Sequence, residues 1–189
     1  YSPAAGTGLS THELNQPGCY RDVKDTTVVG QFRILDPKPE MAQWGTPYFL
    51  AWTTTPWTLP SNTALCVGPK IEYVAVQTYN GYTGEKMTAV LAKPLLYTHF
   101  NKKAEELALE DYKPGDKLVP FKIVGEYKGP DLVGMRYEQI IPWVKPVAVD
   151  EKGNWKDASD KAFRVISGDY VTTEDGTGIV HIAPTFGAD

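Results

Sequence analysis

The residue types that carry most metal, redox and nucleophilic chemistry are scarce in this chain, which has three histidines, two cysteines and three methionines among 189 residues. Cys19 and Cys66 stand far apart and in no ligand-spacing motif. That excludes a disulfide framework and a cysteine-based zinc site, and predicts two free thiols in a reducing compartment. There is no basic excess: 19 Lys and Arg against 23 Asp and Glu leave a net charge of −4. Nonspecific nucleic-acid binding by charge is thereby excluded, and any nucleic acid must be held mostly by something else. No stretch approaches the roughly 18–20 apolar residues of a membrane span, and no charged and apolar leader is present, so the expected location is the cytoplasm. Internal repeats, heptads and low-complexity tracts are also missing. The chain opens without Met and stops at Asp189 inside an apolar run rather than a polar tail, which predicts that residues 1–189 are one domain, monomeric, excised from a longer protein.

What is present is turn chemistry and short apolar runs. Fifteen prolines and seventeen glycines punctuate candidate strands at 27–35, 48–53, 63–67, 71–78, 87–92, 119–124, 144–149, 162–166, 170–173 and 178–183. This spacing favours a mainly β domain over a doubly wound one. One helix is predicted from Lys93-Pro94 to the Tyr112–Asp116 breaker, with Leu95, Leu96, Phe100, Leu107 and Leu109 on its apolar side. A helical turn is expected after Gly129-Pro130, and a surface hairpin at 151–157.

The densest polar feature is the run 49–62, which puts five hydroxyl side chains, two indoles and an amide into fourteen residues at the end of an apolar strand. A strand that needed only burial would carry aliphatics. Thr53, Thr54 and Thr55 instead offer adjacent donors and acceptors that must be satisfied once out of water. Pro56 and Pro60 restrict the backbone between them, which suits a preorganised pocket with Trp52 or Trp57 as a wall. A hydroxyl-rich turn capping a barrel is the competing reading.

Near the C-terminus, His181 sits in Ile179-Val-His-Ile-Ala183, either as a satisfied core imidazole or as the floor of a pocket. His12 and His99 have no partner spacing with it, so no metal site is expected. Asp175-Gly176 is a hairpin signal, and Gly176-Thr-Gly178 lacks the lysine of a phosphate loop. Ser61, His181 and Asp189 do not make a hydrolase triad, because Ser61 lies between Pro60 and Asn62 rather than on a Gly-x-Ser-x-Gly elbow.

These residues resemble the editing domain of isoleucyl-tRNA synthetases, the insertion in a class I catalytic fold. Trp52–Asn62 is the first signature, 131–138 a middle one and 175–189 the last, so the resemblance covers essentially the whole chain. The leucyl and valyl relatives carry Arg after the first two threonines, then Pro and an acidic residue, so Thr55 and Trp57 favour the isoleucyl member. The resemblance implies a closed, six-stranded-type barrel core with a few peripheral helices and hairpins. It implies post-transfer hydrolysis of valyl-tRNA(Ile), with the 3′ aminoacyl end, the valyl moiety and the remainder of the synthetase as partners. No cofactor is expected in this domain, ATP and Mg serving the parent enzyme. A second sieve is needed because one methylene is worth only about 1–3 kcal/mol, a rule for which this synthetase is itself the standard example.

Under the resemblance, Thr53, Thr54 and Thr55 form the catalytic segment around the terminal adenosine and the ester. Trp57, Thr58, Asn62, His181 and Asp189 bind substrate, with Thr58 and His181 admitting valine and excluding isoleucine. An aminoacyl ester is already activated, so a positioned water suffices. The family pattern continues Gly-x-Asp-Asp, and its second aspartate is the one expected to hold the ammonium group. This sequence ends at the first, Asp189, and adjacent side chains on extended chain face opposite ways, so impaired amino-group recognition is expected. A noncatalytic β-barrel module binding a nucleotide or tRNA 3′ end is the alternative.

Overall fold

Strand β5 (Lys86–Ala92) reads Met-Thr-Ala-Val-Leu-Ala after its first lysine, and all six of those residues are buried. A buried run of that kind, apolar but for Thr88, belongs in the middle of a sheet covered on both faces. A computed structural model of the chain, describing residues 3–4, 6–22, 24 and 26–184, places it there.

The remaining strands are β1 (Val28–Arg33), β2 (Thr46–Thr53), β3 (Ala64–Val67), β4 (Glu72–Tyr79), β6 (Lys122–Lys128), β7 (Val147–Val149), β8 (Trp155–Asp157), β9 (Arg164–Ser167) and β10 (Ile179–Ile182). Five form one sheet in the order β1-β2-β5-β4-β6, three form a second in the order β10-β3-β9, and β7-β8 is a separate hairpin. β2 runs parallel to β5, and the connection between them carries β3 and β4. Along β4 the period of two sends Tyr73 and Ala75 into one core cluster and Val74 and Val76 into another. The first cluster also takes Leu65, Val67, Val165 and Ile179, so the second sheet packs on that face. The second cluster is closed by Leu96, Ala104 and Phe121.

The barrel expected from the resemblance is not closed. The large sheet ends at β1 and β6, and the segment 134–138, which belongs to no strand, lies between the end of β1 and β9, with bridges from Ile34 to Tyr137 and from Arg136 to Arg164. β6 is suited to an open edge, because Lys122, Glu126 and Lys128 stand exposed along it, and charge on an edge strand discourages further pairing. Its register against β4 also slips between Ala75 and Val76. The content is mainly β with few helices, as expected.

The predicted long helix is instead a chain of short turns: Lys93–Leu95, α-helical Leu96–His99, Lys102–Ala104 and Leu109–Asp111. Phe100 is extended, and the Asn101 side chain accepts the Lys103 N–H at 3.0 Å, starting a new turn in place of the old one. Leu96 and Leu109 are buried as expected, without a common helix to carry them. The expected strand at 170–173 is irregular, and Asp175-Gly176 makes a turn but no hairpin, because β9 and β10 each pair with β3. The short helix Gly129–Leu132 and the β7–β8 hairpin do form.

Candidate functional site

β2 ends at Thr53, and Pro56 opens a 3-10 turn, Pro56–Ser61. Proline fits a first helical position because its ring presets φ and its missing N–H is not needed. The turn buries Thr58 and Leu59 and delivers Asn62 to a position 1% exposed. From the second sheet, β10 runs antiparallel to β3 with His181 opposite Leu65.

Hydrogen bonds join these elements in one chain. Thr53 Oγ1 accepts the Thr55 N–H at 3.0 Å and lies 3.3 Å from Thr55 Oγ1, which lies 3.3 Å from Thr58 Oγ1. Thr58 Oγ1 donates to Thr55 O at 2.7 Å and sits 2.8 Å from His181 Nε2. Asn62 Nδ2 donates to Ala64 O at 2.9 Å, is 3.2 Å from His181 Nδ1 and reaches Ile182 O at 3.4 Å. Tyr137 Oη donates to Asn62 Oδ1 at 2.6 Å.

The proton positions follow from the fixed acceptors. Two backbone carbonyls can only accept, so the amide nitrogen of Asn62 must face them, and His181 Nδ1 beside it must accept too. Nε2 then carries the proton and donates to Thr58 Oγ1, whose own proton goes to Thr55 O. Protonating Nδ1 would set donor against donor. Burial acts in the same direction and holds the His181 pKa below the ordinary value of 6.5. With both nitrogens engaged, the neutral imidazole is a wall and not a free base. Burial likewise pushes the Tyr137 phenol far above its usual range, outweighing the opposing hydrogen bond to Asn62.

Five sequence-predicted site residues, Thr53, Thr55, Thr58, Asn62 and His181, are thus linked. Thr54 is exposed, and Trp57 is 64% exposed, so its indole walls no enclosed pocket among the described residues. Asp189 lies outside the described residues. Among the described residues no three of His, Cys, Asp or Glu gather in a group able to hold a metal.

Three buried polar residues escaped sequence reasoning. Tyr137 underpins Asn62; its sequence signals are its place in the 131–138 signature and a period-two match with Met135, which is also buried. Tyr73 Oη accepts the Gly68 N–H at 2.8 Å and donates to Gly178 O at 2.7 Å, with its pKa pushed up to about 12 by burial. Thr177 Oγ1 accepts the Trp52 N–H at 3.3 Å, and Thr177 O accepts the Ala92 N–H at 2.9 Å. Together they tie the turn before β10 to β2, β4 and β5. His99 Nε2 adds a bond to Gly176 O at 2.7 Å, so it is satisfied and separate from the site.

The architecture is that of the editing domains of aminoacyl-tRNA synthetases. The cytosolic leucyl-tRNA synthetase editing domain of P. knowlesi superposes with a TM-score of 0.54 at 14% identity, over 83% of this chain and 58% of that one. The P. falciparum counterpart gives 0.54 at 12% identity, over 83% and 60%. By sequence the chain belongs to the isoleucine–tRNA ligase family. It is 82% identical over its whole length to the isoleucine–tRNA ligase of Bacteroides thetaiotaomicron, 67% to that of Porphyromonas gingivalis and 60% to that of Cytophaga hutchinsonii. It spans 16% of the length of each. No protein-family profile matches the chain.

Proposed function

We propose that this chain is the post-transfer editing domain of an isoleucyl-tRNA synthetase, hydrolysing the ester of valyl-tRNA(Ile) as a cytoplasmic, size-selective second sieve. The observation that carries the reading is the 2.8 Å contact between Thr58 Oγ1 and His181 Nε2. It turns two polar side chains from separate elements into one fixed wall whose donors are used internally. Such a wall suits an aliphatic side chain, because it offers shape without an unpaired polar group. Valine fits, and the extra methylene of isoleucine meets atoms that cannot rotate away.

Hydrolysis then needs only a positioned water. The Thr55 and Thr58 N–H groups are already bonded to Thr53 Oγ1 and Thr55 O. That narrows the expected contribution of backbone amides and leaves hydroxyls to do more. Thr54, next to Thr53 and Thr55 in the chain, is exposed, and its hydroxyl is proposed to hold the water or the developing oxyanion. The terminal ribose hydroxyl next to the ester is a second proton relay. Asn62 acts through His181 and is not free to touch substrate, and the amino-group role falls to the aspartate that follows Asp189 in the family pattern. No cofactor takes part in this step.

The test is ester loss from valyl- and isoleucyl-tRNA(Ile), measured with the chain and with the chain exchanged into the B. thetaiotaomicron ligase. Fast loss of valine alone supports the reading. Tight binding of both with no hydrolysis in the exchanged enzyme supports a noncatalytic 3′-end binder in its place.

A further inference from the structure

Phe163, just before β9, is the one non-glycine residue with positive φ among the described residues, at +58°. In the left-handed region the Cβ of an L residue crowds the carbonyl oxygen that follows it, and a bulky aromatic there is a true outlier. Such a conformation persists only where its surroundings impose it.

The bonds on either side of the residue show what imposes it. A residue in a regular strand sends its N–H and its C=O to the same neighbour. Val165, two residues on, does so: it donates to Met135 O and accepts the Gly134 N–H, both at 2.9 Å. Phe163 divides its groups. Its N–H donates to Thr63 O at 2.7 Å, toward β3, and its C=O accepts the Tyr137 N–H at 3.0 Å, toward the segment 134–138. β3 flanks β9 on one edge and that segment flanks it on the other, so the backbone has to turn over at this residue. The ring is buried and adds a third contact, edge-on to the Tyr137 ring with 6.1 Å between centroids.

These contacts close a loop of four residues. Tyr137 donates to the Asn62 side chain at 2.6 Å, Thr63 follows Asn62 in the chain, and Phe163 ties Thr63 back to Tyr137. Thr63 N–H also donates to Ile182 O at 2.9 Å, the carbonyl that Asn62 Nδ2 reaches at 3.4 Å. A movement of Phe163 is therefore passed to residues 62 and 63 and on to the end of β10, next to His181.

We propose that Phe163 is a positioning residue of the sieve, its left-handed backbone and its ring together holding Asn62 and Thr63 against His181. The inference rests on the proposed editing function and adds to it a residue outside the chain of hydroxyls and imidazole. Glycine would make the same turn without strain but would leave Tyr137 without a wall. Leucine would fill space without the aromatic edge.

The test places variants in the chain exchanged into the B. thetaiotaomicron ligase. Phe163→Gly and Phe163→Leu should each lower the ratio of valyl- to isoleucyl-tRNA hydrolysis about fivefold, less than loss of a gate residue itself, whereas Phe163→Tyr, which keeps ring and turn, should stay within about twofold. Leu91→Ala, buried in the other core cluster, isolates stability: it should lower the melting temperature at least as far and leave the ratio within about twofold. In the chain itself, followed by NMR, the His181 ring should titrate closer to 6.5 in Phe163→Gly than in the parent, because a loosened wall admits water. Phe163→Leu serves for this measurement if the glycine variant does not fold. The proposal is overturned if Leu91→Ala moves the ratio as much as the Phe163 variants do, or if neither Phe163→Gly nor Phe163→Leu moves it. An exchanged parent that hydrolyses neither ester refutes the editing reading; the His181 titration then decides alone, a rise supporting the positioning role and an unchanged curve refuting it.

Discussion

Thr58 and His181 lie 123 residues apart in sequence, yet Oγ1 of the first and Nε2 of the second are 2.8 Å apart. Each fixes the other: the imidazole gives the threonine hydroxyl a donor, and the hydroxyl gives Nε2–H an acceptor.

Thr58→Ala and His181→Ala should each relax the exclusion of isoleucine. Removing either partner opens space and leaves the other unpaired, so the ratio of valyl- to isoleucyl-tRNA hydrolysis should fall about tenfold or more, the worth of a methylene in such a pocket. Unchanged ratios in both variants would remove these residues as gates.

Tyr137→Phe tests the layer beneath. The substitution leaves the buried Asn62 Oδ1 without its 2.6 Å donor, costing about 1–3 kcal/mol of stability. The carbonyls of Ala64 and Ile182 still orient the amide, so the His181 tautomer, read from ring ¹⁵N shifts, should persist. A switch of tautomer would show that Tyr137, not the carbonyls, sets it.

Much of this was legible from sequence, and the parts that were not share a cause. The Thr53–Asn62 run and His181 stand out because polar groups in apolar surroundings demand partners. Their joining by Asn62 Nδ2 was not readable, since it depends on β10 pairing with β3 instead of β9. The same non-local choice defeated the barrel: each strand pattern was visible, but the charges on β6 do not say which strand stays unpaired. The helix failed locally, where the apolar positions Leu96, Phe100 and Leu109 were sound but the pull of Asn101 toward a fresh cap outweighed their spacing.

Acid should destabilise the fold through His181. The unfolded ring takes its proton near pH 6.5, whereas the folded ring, buried and facing a donor, resists it. The unfolded state therefore binds more protons as pH falls below about 6.5, and stability declines until the lowered folded pKa is reached. It is flat above that range. Chemical denaturation at pH 5 and 7.5 measures the difference, which should shrink in His181→Ala.

Gly178→Ala should be among the most damaging single-methyl changes. Gly178 has φ +70°, and a Cβ there would lie 2.3 Å from Ala92 Cβ. Strain of this kind costs about 1–3 kcal/mol before the clash is counted. The variant should melt several degrees lower and lose selectivity, because the same residue sets the entry to β10 and His181. A melting temperature within one or two degrees of the parent would contradict this.

The junction between the sheets has a consequence for heat. Thr53 belongs to one sheet and His181 to the other, so the proposed sieve spans the junction of the sheets, which is tied by the segment 134–138 and by the bonds of Thr177 to Trp52 and Ala92. Either sheet can keep its ladders while the junction widens. Under the proposed function, discrimination should be the first property lost on warming, and hydrolysis should turn permissive toward the larger amino acid well before the chain unfolds.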